Sequence, residues 1–375
     1  MKVSSFTSYI HATALGLALV PAAVTVRANA EGALYTTDNA ATNHVLVFNR
    51  DERGALTSAG SFATGGAGVG SAKGLPSQGA VVLSPDSRWL FVCNGGSDEI
   101  SVFDVADREL RLTDKVASGG EMPISLTFHG NLLYVLNAGG YLGGTDNITG
   151  FVFRDGSLNP LAESTRTLSA AETKPAQVLF APDGKTLVVT EQVTDLIDTF
   201  EVNDKGVAAD EKSFASAGVQ PFGFNFGREN RVFVSEAAGG MSGGSTTSSY
   251  NLSEQGNLSV ISAAVPTHQT AACWALVSRG ERFVYIANAG SGAISGFKIA
   301  GDGSLALVTA SGATGLTGAG SHPTDMVESD DRRFLFSLNN GNGTISAFHT
   351  EPDGTLEALT PTSGLPASAA GLAGR

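Results

Sequence analysis

One unit, written seven times, constrains this chain more than any other feature. Its clearest copy is RFVYIANAGSGAISGF at residues 282–297, where two apolar runs (283–287 and 293–297) flank a cluster holding Asn288, Gly290 and Gly292. Strand formers on either side of turn formers spell a β-hairpin. Copies recur at 89–103 (WLFVCNGGSDEISVF), 132–153, 186–200 (TLVVTEQVTDLIDTF), 231–252 and 334–348 (FLFSLNNGNGTISAF), and ALYTTDNAATNHVLVF at 33–48 is the seventh. The punctuation around the copies repeats too. A strand opens near a proline (Met122-Pro123, Lys174-Pro175, Gln220-Pro221, His322-Pro323), and a tight turn such as SPDS at 84–87 follows. The hairpin comes next, then a turn such as Asp302-Gly303 and a last strand. Four short antiparallel strands recurring about every 50 residues describe a propeller blade, closer to the kelch period than to that of WD40 repeats. The expected fold is all-β: a seven-bladed β-propeller with four antiparallel strands per blade.

Counting strands locates the closure. The first repeat starts directly at its second strand (33–37), and the tail 365–375 reads as the innermost strand that it lacks. Pairing that tail into the first blade closes the ring and hides a sheet edge.

Residues 1–30 carry a different signature. Lys2 precedes an apolar stretch at 12–26, and Ala28-Asn29-Ala30 is a small-x-small site ahead of Glu31. The stretch falls short of the ~20 residues that span a bilayer, so it reads as a cleaved secretory signal. The mature protein expected is a single propeller domain at 31–375, secreted or periplasmic. Cleavage removes Lys2 and Arg27 but no acid, which moves the formal charge from −13 to −15. So acidic a chain, with no Lys/Arg cluster, has nothing to release counter-ions from nucleic acid or to attract anionic lipid. The expected partner is a small molecule, with no nucleic acid and no membrane, and the expected state is a monomer. Cys93 and Cys273 fall in the second and sixth repeats. On a ring these are too far apart for the roughly 4.4–6.8 Å Cα separation of a disulfide, so two free thiols are expected.

Glycine-rich insertions fall at 65–79, 138–147, 237–249 and 312–321. In an antiparallel blade, the loop before the innermost strand and the loop after the second strand leave from the same face. All four insertions therefore crowd one mouth of the channel, the usual place for binding on a rigid scaffold. Aligning the hairpins puts Asp38, Asn94, Asn137, Glu191, Glu236, Asn288 and Asn339 at one equivalent position. Asn belongs there for turn chemistry. Glu191 and Glu236 are the exceptions, and two carboxylates at one mouth can work as general acid and base, hold a hard cation, or stand as solvated or ion-paired groups. The starts of the innermost strands add Lys174, Gln177, Gln220, Trp274, His322 and Asp325, with His268 in the loop THQT. Phe222 and Trp274 offer an apolar wall for a ring-shaped ligand, or channel packing. His322 has the side chain best suited to a general base; beside a turn proline it is equally at home as a structural residue.

Other motifs are absent or out of context. Gly240-Met-Ser242-Gly-Gly244 matches a nucleophile elbow but lacks the following helix. No GxGxxG, HExxH, EF-hand loop or paired CxxC occurs, so no cofactor and no metal is called for.

At SPDSRWLFVCN, APDGKTLVVTE and FVYIANAGSGAISGF the chain resembles the seven-bladed propeller lactonase family, which includes bacterial 6-phosphogluconolactonase and fungal carboxymuconate cyclase. The resemblance runs over 33–375 and implies lactone hydrolysis or the reverse ring closure. The family's N-E-L looks matched by Ser235-Glu236-Ala237, which implies Glu236 as its acidic residue. Its P-R-H is met by Pro221-Phe222-Gly223 and Pro175-Ala176-Gln177, and its S-N-R by Ala287-Asn288-Ala289. The arginines that would hold a carboxylate or phosphate are thus missing, which points to a neutral lactone. On this reading Glu236 or Glu191 activates water, and Lys174 or His322 stabilises the oxyanion. Gln177, Gln220, Phe222, Trp274, Asn288, Asp325 and His268 would then contact the substrate. The alternative is a non-catalytic propeller that binds a protein or glycan through the same face.

Overall fold

The computed structural model describes residues 1, 31–70, 75–106 and 109–375; the expected signal segment, Met1 apart, lies outside them. Seven antiparallel sheets surround an axis, and consecutive sheets follow the chain. Blade four shows the pattern, from the innermost strand Pro175–Phe180 through Thr186–Glu191 and Leu196–Glu201 to the outermost Lys212–Ala215. Blade one takes its innermost strand from the other end of the chain. Ala370–Gly374 pairs antiparallel with Gly32–Thr37, as the strand count requires.

Burial explains why these segments are strands with continuous rather than alternating apolar runs. Every residue of Thr186–Glu191, Phe283–Asn288 and Phe334–Asn339 is buried, because both faces of a blade are covered by its neighbours. Outer strands such as Glu109–Ala117 are largely exposed. Aromatic edges fill the gaps between blades: Phe91 meets Phe153 at 5.3 Å and 86°, and Tyr134 meets Phe180 at 5.7 Å and 84°.

The face opposite the mouth is stitched by glycines. In blades three to seven the turn between third and fourth strands sets a glycine at positive φ, and its carbonyl accepts a hydrogen bond from the preceding blade. Thr113 donates to Gly156 (2.8 Å), Tyr134 to Gly206 (2.8 Å), Thr199 to Gly256 (2.7 Å), Ser249 to Gly303 (2.9 Å) and Tyr285 to Gly354 (3.2 Å). The Asp-Gly turns so plain in the sequence are therefore joints between blades as well as hairpin bends.

Blade two departs from the expected grammar. Its innermost strand is only Val81–Leu83, and the residues before it, expected as part of a loop insertion at the mouth, fill the channel instead. The Gln78 amide N–H donates to Ala176 O, while its side chain donates to Ala275 O (2.7 Å) and accepts from Ala275 N (3.0 Å). Ser77 donates to Ile124 O and accepts from the Trp274 indole, and Gly79 N donates to Asp325. Gly223 has to be glycine at this plug, since a Cβ there would strike the Gln78 side chain. Three residues thus bond to the innermost strands of blades three, four, six and seven and pack against Gly223 of blade five.

Candidate functional site

The mouth is built from two repeated devices. The first is the ring seen in the hairpin alignment, which proves to be a set of clips. Asn94, Asn137, Glu191, Glu236, Asn288 and Asn339 are all fully buried. Asn94 accepts from Thr64 (2.7 Å) and donates to Ser101 (2.8 Å), and Asn137 donates to Ser118 O at 3.4 Å. Thr64 and Ser118 belong to the loops that enter blades two and three. The Glu residues do the same work by accepting alone. Glu191 takes the Ser169 N–H at 3.1 Å and the Ser169 and Thr194 hydroxyls at 2.5 Å. Glu236 takes the Gly218 N–H at 2.9 Å and hydroxyls from Ser216 and Thr246. Burial raises the Glu236 carboxyl above its ordinary range, against the pull of these donors. Glycine is needed where the loops cross the clips, because a Cβ on Gly66, Gly120 or Gly218 would run into Asn94, Asn137 or Glu236.

The second device lies just inside the first. Met122, Lys174, Gln220, Ala271 and His322 each sit immediately before an innermost strand, and each is left-handed, with φ of 54°, 48°, 61°, 55° and 47°. Five non-glycine residues in that region signal a backbone held by its surroundings. The holder is a hydrogen bond: their carbonyls accept the N–H of Ala138, Gln192, Ala237, Ala289 and Asn340, each one residue after a clip. This bend turns the chain from the rim into the channel.

The residues expected to carry chemistry thus separate into three layers. Lys174, His322 and His268 are exposed at the rim, and Gln220 is half-buried there. The Lys174 ammonium lies 5.7 Å from the centre of the Tyr141 ring, on a short 3-10 turn (Gly139–Leu142) inside the blade-three hairpin. Burial, with Asp146 nearby, pushes the Tyr141 hydroxyl up to about 12. Gln220 donates to Gln192 at 3.2 Å and accepts from Gly239 N at 2.8 Å. Glu191, Glu236 and Asn288 form the clip layer, with carboxylates and carboxamide closed off from solvent. Gln177, Phe222, Trp274 and Asp325 form the third layer, at the plug. Gln177 accepts from Phe224 N, Phe222 lies 5.1 Å from Trp274, and Asp325 accepts from Gly79 and Leu372. Ser77, Gln78 and Gly79 are the residues sequence reasoning missed at this level; only their place in a glycine-rich stretch set them apart.

Both cysteines are free, as ring separation required, and burial pushes the Cys273 thiol up to about 12. Among the described residues, His349, Glu351 and Glu357 form a cluster of metal-ligand type on the rim of blade seven, away from the mouth. No helix of the described residues is long and apolar enough to cross a membrane.

A family model described as lactonase, seven-bladed β-propeller, matches residues 25–141 and 228–362. Comparison with curated proteins returns no match. A protein from Lactobacillus plantarum superposes with a TM-score of 0.73 at 17% identity, covering 92% of this chain and 99% of its own. The periplasmic gluconolactonase of Pseudomonas aeruginosa superposes at 0.69 with 18% identity, covering 91% and 99%. Hydrazine synthase from Kuenenia stuttgartiensis gives 0.59 at 15% identity, covering 88% and 98%. Identities this low speak for the shared fold alone.

Proposed function

The chain belongs to the family of seven-bladed β-propeller lactonases, and from that premise we propose that it is an exported lactonase-type propeller acting on a small, neutral lactone at the loop-rich mouth. The observation that carries this reading is the rim itself, where Lys174 and His322 are held by identical left-handed bends and left exposed. No hydrogen bond to a described residue occupies the His322 ring, so it is available to draw a proton from water. Lys174 supplies positive charge for the oxyanion that forms when the ring carbonyl is attacked. Glu191 and Glu236 serve this site from below as positioning groups. One clips the loop that leads to Lys174, and the other clips the loop that leads to Gln220. Pyridine-nucleotide, flavin or phosphate-cradle signatures play no part in the reading. The missing family arginines favour an uncharged substrate.

A second reading rests on a different observation. Leu142, Val193, Val219 and Met241 are all highly exposed, and all lie on mouth-face loops of blades three to five. An apolar crest of this kind suits a non-catalytic propeller that docks a protein or glycan. A panel of neutral γ- and δ-lactones separates the two readings. Turnover by the wild type, lowered about 100-fold or more in kcat/KM by His322→Ala or Lys174→Met, supports the enzyme. Turnover indifferent to both substitutions sinks this site, and no turnover on any lactone favours the docking module.

A further inference from the structure

Blade four breaks a pairing rule that other blades obey. In blades two, six and seven the clip asparagine donates to a serine seven residues later: Asn94 to Ser101 at 2.8 Å, Asn288 to Ser295 at 2.9 Å and Asn339 to Ser346 at 2.8 Å. At the same spacing blade four has Glu191 and Asp198. Both are fully buried. Blade five also has a glutamate clip, but hydroxyls surround Glu236 there, Ser248 among them. Only blade four sets acid against acid.

Neither Asp198 oxygen has a hydrogen-bond partner, and Asp198 occupies the position from which the serines of blades two, six and seven meet their asparagine clips. Two ionised carboxylates cannot share a dry site, whereas a carboxylic acid and a carboxylate can, joined by the proton between them. We propose that Glu191 and Asp198 hold one proton in common, and that this acid pair is the latch that keeps loop 169–174 down over blade four. Glu191 is the hinge of that latch, because it grips Ser169 while Gln192 N holds the Lys174 carbonyl.

The surroundings favour the shared proton. The acid Glu211, just before the outermost strand, adds like charge, and Ser213 sits across the sheet from Asp198. In blade three the Tyr134 hydroxyl is engaged with Gly206 and Ala208, and Arg166 is paired with Asp210 at 3.4 Å. Among the described residues no Lys, Arg or His forms an ion pair with Glu191 or Asp198. Desolvation, then Glu191, drives the Asp198 carboxyl far above its ordinary range. Loss of the proton in alkaline solution would leave like charges face to face and loosen the grip on Ser169. The loop carrying Lys174 would then lift, whether or not the mouth is catalytic.

Two measurements test this. Infrared spectra of protein with isotope-labelled aspartate should show a protonated carboxyl component at neutral pH that Asp198→Ser removes and Asp325→Asn leaves in place. Amide hydrogen exchange across 169–174, corrected for intrinsic rate, should rise about tenfold or more between about pH 6 and about pH 9 in the wild type. The rise should vanish in Glu191→Asn/Asp198→Ser, which rebuilds the pairing of blades two, six and seven and is therefore expected to fold. Absence of the protonated band in the wild type overturns the proposal, as does equal exchange in both proteins. A stoichiometric metal ion retained by the purified wild type would also overturn it, since a cation would then hold the pair together.

Discussion

Asp325 shows how much one residue can carry at this depth. Its carboxylate accepts from Gly79 in the plug, from Leu372 in the closing strand and from its own neighbour Met326. Burial nonetheless outweighs these donors and raises the group to about 7. The folded protein therefore keeps a proton that the unfolded chain, titrating near 4, has already released. By linkage, this group's stabilisation is complete below about pH 4, fades as pH climbs to about 7, and stays lost above that. Asp325→Asn keeps one acceptor oxygen and removes the titration. The variant should gain on the wild type by up to about 4 kcal/mol between pH 4 and pH 8. Melting curves of both proteins across that range check this, and parallel slopes would refute it. Legibility at the residue scale was uneven for a physical reason. Glu191 and Glu236 could be aligned from the hairpins and Asp325 placed from the strand starts, but whether a carboxylate faces solvent, a plug or another acid depends on neighbours far away in the chain. Asp198 looked like an ordinary polar residue in LIDTF; only the Asn–Ser spacing of other blades gives it meaning.

Within each blade, turns do two jobs at once, and this makes their glycines unequal. Gly354 has φ of 92°, a left-handed conformation that L side chains rarely adopt, and a Cβ there would drive into the Phe283 ring of the neighbouring blade. Its carbonyl also accepts from Tyr285. Gly301, two residues before the equivalent turn glycine of blade six, has open space around its Cβ position and no positive φ. Gly354→Ala should thus cost about 2–4 kcal/mol, combining left-handed strain with overpacking. Gly301→Ala should fall within about 0.5 kcal/mol of the wild type. Denaturant midpoints at unchanged slope would measure both, and similar values for the two variants would contradict the joint. Strands and hairpins were readable because apolar runs and Asp-Gly turns are local signals. Their lengths were not, and the outermost strand of blade six shows why. The last strand expected after Asp302-Gly303 forms as Leu305–Leu307 with a separate Gly315–Leu316, because edge strands have fewer partners to hold them in register.

Across the whole ring, stability depends on two segments that each bind several blades: the plug and the closing strand. Asp325 touches both, so the two are coupled across the axis. The closing strand hides the edge of Gly32–Thr37, where Thr36 and Thr37 donate to Ala370 O at 3.3 and 3.1 Å. The offset closure could be deduced from strand counting, because an unpaired edge is a liability whatever the sequence. The plug could not, because each of its bonds joins residues that are neighbours only once the ring exists. Removing residues 369–375 should strip the inner strand from blade one, free an edge for pairing between molecules, and release one end of the Asp325 bridge. The truncated protein should lose its sharp, cooperative melt and associate with itself, as read by light scattering. A peptide of the deleted sequence should suppress that association by taking the vacant place in the sheet, the way added strands complete open edges elsewhere. A truncated chain that stays monomeric and melts like the intact protein would show that closure rests on the plug rather than on the final strand.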